Sequence, residues 1–333
     1  MTSRSLKSRR PIRTVWPRER LACECAMAMA CSIEPGSAFA YSSAVKSYFD
    51  FCTSHSFPID PTPDTLSYFT VYMAHYIKPQ SVSSYLSGIC NQLEPFFPDV
   101  RTHRLHWLVT KTLAGGQKMF PSTTSRKRPL TRAELIDISR FYISSNIYND
   151  TLFLAILLTG FHGLLRLGEL TWPENNRLQD YCKVILRTSV QTHPKSFQFT
   201  LPGHKADRFF EGSVVLIQST TLLDDAWAPF TKYLSFRDRL FPLRAELWLK
   251  EDGSIPTRSW FLRFLRRHVT GDIGGHSLRA GGATALAEAR IASHMIQAIG
   301  RWSSDTFQLY IRRHPVLLAA LIYSSPSRLP LVL

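Results

Sequence analysis

His276 and Arg279 stand three residues apart, one helical turn, so both side chains can address one point in space. Tyr310 follows on a second helical pattern, opened by Ser304 and Asp305 in N-cap position and stopped before Pro315. Between them lies Gly300-Arg301-Trp302, an aromatic at a helix exit. A histidine, an arginine and a tyrosine brought together would suit attack on a phosphodiester. The phenol is the nucleophile, the guanidinium a bidentate clamp on phosphate oxygens, and the imidazole a proton handler. Each residue alone has a plainer reading, as a surface helix pair or a packed tyrosine.

An upstream segment changes the balance. Residues 159–170, TGFHGLLRLGEL, read as the close of an apolar helix that starts near Leu152. Arg166 then falls among Leu164, Leu165, Leu167 and Leu170, where burial is costly without an anionic partner. TGxxxxLRxGEL, HxxR, GRW and a late tyrosine together resemble the tyrosine recombinase (phage-integrase-like) family. GRWSSDTFQLYIR is similar to the branch carried by eukaryotic mobile elements. The resemblance runs over residues 129–314 and more loosely over the N-terminal half.

That resemblance implies a site-specific DNA recombinase or integrase from a mobile element, cleaving and rejoining strands through a 3′-phosphotyrosine on Tyr310. Arg166 and Arg279 would hold the non-bridging phosphate oxygens, and His276 would shuttle the tyrosine proton. Lys205, at a β-hairpin tip, would protonate the departing 5′ oxygen, with Lys195 in reserve. Trp302 stands where most relatives have histidine and some have tryptophan. An indole donates one hydrogen bond and handles no proton, so it would orient and pack. Glu169 would orient Arg166. The interval from Trp302 to Tyr310 is one residue shorter than the usual pattern, and Tyr323 is the only nearby substitute. No metal or nucleotide cofactor is implied. The partners would be double-stranded DNA and further copies of the chain in a tetrameric synapse, in the nucleus. Rival readings are a type IB topoisomerase-like enzyme, a catalytically decayed or domesticated DNA-binding protein, and a zinc or redox protein using the cysteines.

Composition fits a polyanion partner. Forty Lys+Arg against twenty-five Asp+Glu give a net charge of +15, and nucleic acid is the polyanion expected. At 333 residues two domains are the default, and 44% hydrophobic residues suffice for real cores. Cys23, Cys25, Cys31, Cys52, Cys90 and Cys182 form no regular framework, which predicts reduced thiols. The short apolar run after a long basic start is a poor signal peptide, and no run approaches a membrane span.

In chain order, residues 1–20 read as a basic arm and residues 21–114 as an all-α, SAM-like core-binding domain of four or five short helices, the last over residues 102–114. Lys78, Arg101, Arg104 and Lys111 are its DNA-contact candidates. Residues 115–129 read as a Gly/Ser/Pro linker carrying Arg126, Lys127 and Arg128, further DNA-contact candidates in a pattern also seen in nuclear addresses. Residues 130–333 form the expected α+β catalytic domain. Thr131 and Glu134 make a capping box at its start. Residues 182–190, 196–201 and 213–217 read as strands, so the whole is a two-domain clamp, mainly α with a small antiparallel β-sheet. A helix over residues 257–269 alternates an apolar face with Arg263, Arg266 and Arg267, expected to meet phosphate. The apolar tail after Tyr310 is expected to dock either within the chain or onto a neighbouring copy.

Overall fold

The computed structural model describes residues 14–121, 127–202, 212–303, 307–308, 310–311 and 314–323. The chain divides into two compact units, residues 1–124 and 125–333, each with its own core.

Among the described residues six helices build the first unit: α1 (Arg18–Cys31), α2 (Pro35–Ser54), α3 (Pro63–Ala74), α4 (Pro79–Leu93), α5 (Val100–Leu105) and α6 (Trp107–Met119). Prolines open α2, α3 and α4, where the missing N–H has no helical partner to lose. Thr62 caps α3 by accepting from the Thr65 amide. Tyr48, Phe51, Leu66, Phe69, Val82, Leu86 and Ile89 fill the core, with Phe69 edge-on to Tyr48 and Phe51 at 5.4 and 5.5 Å.

Three boundaries differ from expectation. The helix expected over residues 102–114 is two helices, broken at His106, whose backbone is extended (φ −54°, ψ 143°) and whose Nδ1 accepts from the Leu108 amide. The linker begins later than Gly115, because α6 continues through Gly115 and Gly116 to Met119. Gly116 is buried against Ala74, so packing carries the helix past two residues that read as breakers. Within the span expected as an arm, helix starts at Arg18, and residues 1–13 lie outside the described residues.

In the second unit α7 (Arg132–Tyr142) opens on the Thr131–Glu134 capping box, both halves of which are formed. It packs on α8 (Tyr148–His162), which is buried continuously from Thr151 to Phe161. Around α8 also lie α9 (Leu167–Leu170), α10 (Trp227–Leu240) and α12 (Ser277–Glu288). Helices α11 (Arg258–Leu265), α13 (Ser293–Gly300) and α14 (Pro315–Tyr323) also belong to this unit.

Strands β1 (Gln191–His193), β2 (Ser196–Leu201) and β3 (Ser213–Gln218) form one antiparallel sheet in that order. Alternation sends Phe197, Phe199, Leu201, Val215 and Ile217 inward, with Phe197 opposite Ile217 and Phe199 opposite Val215. Phe197 stacks on Phe230 of α10 at 3.8 Å, which fastens the sheet to the helices.

The strand expected over residues 182–190 is replaced by tight turns at Tyr181–Lys183 and Arg187–Ser189. Asp180 accepts from the Cys182 amide and the Ser189 hydroxyl donates to the Leu186 carbonyl, turns at both ends that leave one antiparallel bridge, Leu186 with Glu246. The helix expected to reach Leu170 stops at His162, and the arginine-bearing helix ends at Leu265 instead of Val269.

Candidate active site

The turn after α8 positions Arg166. Gly163 ends the helix, Leu164 adopts a left-handed φ of 48°, and Arg166 enters α9 from extended backbone (φ −77°, ψ 140°). Arg166 is therefore a helix N-cap, not a helical residue. Glu169 accepts from the Arg166 amide through Oε2 and from its Nη1 through Oε1, both at 2.8 Å. One carboxylate thus caps the short helix and aims the guanidinium that precedes it.

Arg279 comes from α12 and is 1% exposed. Its Nη2 donates to the Gly300 carbonyl, and its Cζ lies 4.1 Å from the centroid of the Trp302 ring. Its Nε and Nη1 are buried and have no partner among the described residues. Desolvation, then the Arg166 charge, pull its pKa down to about 9, with Glu169 opposing, so it stays cationic at neutral pH. Helix α12 comes this close because Gly281 and Gly282 face the carbonyls of Leu130 and Phe161, where a methyl group would collide.

Trp302 is buried between Arg279 and the phenol, its ring 4.7 Å from that of Tyr310 and 5.3 Å from Phe307. Tyr310 lies in helical backbone, its hydroxyl buried without a partner among the described residues. Burial raises the Tyr310 pKa well above its ordinary value, while Arg279 and then Arg166 pull it back. Both guanidinium groups therefore act on the phenol. The His314 ring covers it from the far side at 4.1 Å, and its Nδ1 pairs with the Tyr310 carbonyl at 2.7 Å.

His276 is the N-cap residue of α12, one turn before Arg279. It keeps an exposed edge, yet desolvation of its ring and then Arg166, Arg279, Arg258 and His314 hold its pKa below the ordinary value. The imidazole is neutral at pH 7. Together these groups make a cationic pocket around a phenol, with two unpaired guanidine N–H groups where an oxyanion's oxygens could be received.

Arg301 is the member that sequence reasoning passed over. Its side chain is only 12% exposed, pairs with Glu169 at 3.7 Å and donates to the carbonyls of Gly163, Leu164 and Ile299. Its place inside GRW was the sole signal, and nothing in the motif shows what it touches. Lys205 lies outside the described residues, as does Arg126. The strands before and after Lys205 pair antiparallel, Leu201 with Ser213. Lys195 is exposed at the β1–β2 turn. The side chain of Tyr323 also lies outside the described residues.

Arg263 on α11 and Arg266 and Arg267 just past its end are exposed and, with Arg258, Leu262 and Glu174, line an open cleft. Lys127 and Arg128, expected as DNA contacts, are ion-paired within the unit: Lys127 pairs with Asp272, and Arg128 makes a fork on Glu134 at 2.6 and 2.9 Å. They tie down the start of the unit. In the first unit Arg101 pairs with Glu94 at 2.7 Å, and Arg104 donates to the Ser83 carbonyl. Lys78 is exposed at the start of α4, and Lys111 lies over the Trp107 ring. Among the described residues no helix is long and apolar enough to cross a membrane.

Neither a protein-family model nor a curated protein matches the chain. Solved structures do. Lambda integrase, crystallised as a dimer bound to a COC′ core site, matches at a TM-score of 0.51 and 14% identity, over 88% of this chain and 94% of that one. The Tn1549 transposon integrase in complex with circular intermediate DNA gives 0.49 at 14% identity, over 77% of this chain and 82% of that one. XerH site-specific recombinase bound to palindromic difH substrate gives 0.44 at 14% identity, over 75% of this chain and 66% of that one, just under two thirds of its length. On the lambda integrase match, this mainly helical chain with its three-stranded antiparallel sheet has the tyrosine recombinase fold.

Proposed function

We propose that the chain is a site-specific DNA recombinase or integrase that cleaves and rejoins strands through a 3′-phosphotyrosine on Tyr310. The observation that carries this is the buried, unpartnered Tyr310 hydroxyl beside Trp302, with Arg279 and Arg166 both acting on it electrostatically. The likeness to lambda integrase, itself bound to a core site, supports double-stranded DNA as the substrate. The exposed arginines in and just after α11 supply a face for phosphate.

In this reading a phosphate enters against the open Nε and Nη1 of Arg279 and the Glu169-held fork of Arg166. Tyr310 attacks phosphorus as its proton passes to neutral His276, and the P–O5′ bond breaks. Lys205 gives the departing 5′ oxygen its proton. A 5′ hydroxyl from a second strand then attacks the phosphotyrosine and releases the phenol, which conserves the phosphodiester. Trp302 holds Arg279 and Tyr310 in register and moves no proton. Origin in a mobile element, a tetrameric synapse and a nuclear site of action belong to the same proposal and rest on the GRWSSDTFQLYIR wording and the basic charge.

The test is a set of nicked suicide duplexes drawn from the DNA flanking the coding sequence. A covalent protein–DNA adduct, lost in Tyr310→Phe, is the expected result. Binding without an adduct on every duplex would leave a DNA-binding protein instead. Relaxation of supercoiled DNA without joining two duplexes would favour a topoisomerase-like enzyme.

A further inference from the structure

Arg301 occupies a position where glycine would be the easier residue. It ends α13 with φ 54° and ψ 45°, the left-handed conformation that commonly closes helices and usually falls to glycine. A side chain there strains the backbone. A long cationic side chain in that place is also desolvated, which holds its pKa below the usual arginine value against the pull of Glu169. Something in the structure must offset both costs.

Its contacts identify what. The guanidinium reaches back across 138 residues to the carbonyls of Gly163 and Leu164, at 3.4 and 3.3 Å. Leu164 is itself left-handed, so Arg301 grips the strained turn that leads from α8 into Arg166. The same Nη2 lies 3.7 Å from Oε2 of Glu169, the oxygen that accepts the Arg166 amide. Glu169 therefore sits between two arginines, with one oxygen on the Arg166 guanidinium and the other facing Arg301. From its own backbone Arg301 leads directly into Trp302, the indole under Arg279. One residue couples the mounts of both phosphate-facing guanidinium groups.

We propose that Arg301 is a positioning residue of the strand-cleavage step: by holding Glu169 and the Gly163–Leu164 turn, it sets the guanidinium of Arg166 against the scissile phosphate. This rests on the reading of the site as a phosphodiester-cleaving one. Arg301 touches no DNA in this scheme, and its effect is transmitted through Glu169 and Arg166. A displacement of about 1 Å in a positioned group costs roughly 100-fold in rate, which sets the size of the expected defect.

The experiment measures single-turnover adduct formation with the full chain on a nicked suicide duplex, alongside equilibrium binding to the same duplex and thermal melting. Arg301→Met keeps an apolar stem in the buried slot, Arg301→Lys keeps the charge without the fork, and Glu169→Gln closes a double-mutant cycle. Arg301→Met should lose about 100-fold in cleavage rate with binding nearly unchanged, and Arg301→Lys should recover part of it. Combining Arg301→Met with Glu169→Gln should cost much less than the product of the two single defects. A duplex with methylphosphonate at the scissile position lacks one phosphate charge, so a defect acting through Arg166 should shrink on it. Wild-type rates in Arg301→Met, or fully multiplicative defects, would overturn the proposal. So would a loss of cleavage that merely tracks the unfolded fraction and is the same on both duplexes. Failure of the wild-type chain to form any adduct would instead count against the site's proposed chemistry.

Discussion

Replacing Gly282 with alanine should disable the site without altering any residue that does chemistry. The added methyl would overlap the Phe161 carbonyl oxygen, stand 2.6 Å from Leu164 Cδ2 and 3.1 Å from the Phe161 carbonyl carbon. A carbon needs more than 3 Å from each, and a carbonyl at the end of α8 cannot rotate away as a side-chain tip could. Helix α12 must therefore retreat by about 1 Å, since packed interiors do not absorb such an overlap locally. Arg279 lies one turn before Gly282 on the same helix and is carried with it, away from Arg166 and off the Trp302 ring. Overpacking costs about 1–3 kcal/mol, against a helix-propensity gain of at most about 1 kcal/mol for Gly→Ala. With that gain subtracted in full the balance is a destabilisation of up to about 2 kcal/mol, or up to roughly 8 °C in Tm for a unit of this size. Cleavage should fall further, by about 100-fold, because rate depends on where the guanidinium stands. Gly168→Ala is the matched control: a methyl there meets nothing within 4 Å, so its Tm should equal or exceed that of the wild type. Melting curves and single-turnover adduct assays decide the matter. A Gly282→Ala protein that melts above wild type and cleaves at the wild-type rate would refute the claim that this helix contact sets the site.

Three other outcomes are open to measurement. Replacing Arg263, Arg266 and Arg267 together with alanine should flatten the plot of log affinity against log salt by about 0.9 per lost phosphate contact, roughly 2.7 in all; an unchanged slope in anisotropy titrations would place DNA elsewhere. His276 has a pKa below its ordinary 6.5 and is neutral above it, so as an acceptor of the tyrosine proton it should keep the cleavage rate level from pH 8 to about 6.5, with the fall confined to lower pH. His276→Ala should lose that acid limb along with much of the rate, and an unmoved limb would assign the titration to another group. His162, half-buried and bonded to the Asp224 carbonyl at 2.8 Å, also has its pKa lowered by desolvation. The unfolded chain therefore takes up that proton first, so the contribution to stability is complete above about pH 6.5 and declines as pH falls below it. His162→Gln should flatten the decline in Tm between pH 7 and 5, and an equally steep decline would contradict this assignment.

Features that depend on nearby residues are legible in the amino-acid sequence by itself. The Thr131–Glu134 box, the proline-opened helices and the alternating β2 and β3 each rest on interactions within a few positions. The site residues are visible as types and spacings, and Arg166, Glu169, Arg279, Trp302 and Tyr310 do lie in one cluster. What stays hidden has definite physical causes. Helix α8 is buried on every side, so it carries no polar stripe to mark its phase, and its end at His162 cannot be told from a continuation to Leu170. The turn that replaces the continuation rests on a left-handed leucine, a conformation that residue type does not announce. Residues 182–190 have strand-forming side chains, but Asp180 and Ser189 stabilise turns at the two ends and leave one bridge, Leu186 with Glu246. Arg301 can be recognised only through partners more than a hundred residues away.

On the proposed chemistry, the free protein keeps the nucleophilic phenol protonated. An unperturbed phenol already costs about 4 kcal/mol to ionise at pH 7, and burial of Tyr310 outweighs the help from Arg279 and Arg166. Attack therefore cannot begin from a standing phenolate, and the proton must leave as the phosphate arrives. The arriving phosphate also meets an unmet demand: Nε and Nη1 of Arg279 are buried without partners among the described residues, and each such group costs about 1–3 kcal/mol until it is bonded. Satisfying both releases roughly 2–6 kcal/mol, the same order as the cost of ionising the phenol. Charge then moves from tyrosine to phosphate oxygens that the two arginines already hold. In this proposal substrate binding and nucleophile activation are one event, and a Tyr310 that ionised readily in the absence of DNA, seen as a phenolate absorbance band near neutral pH, would break that link.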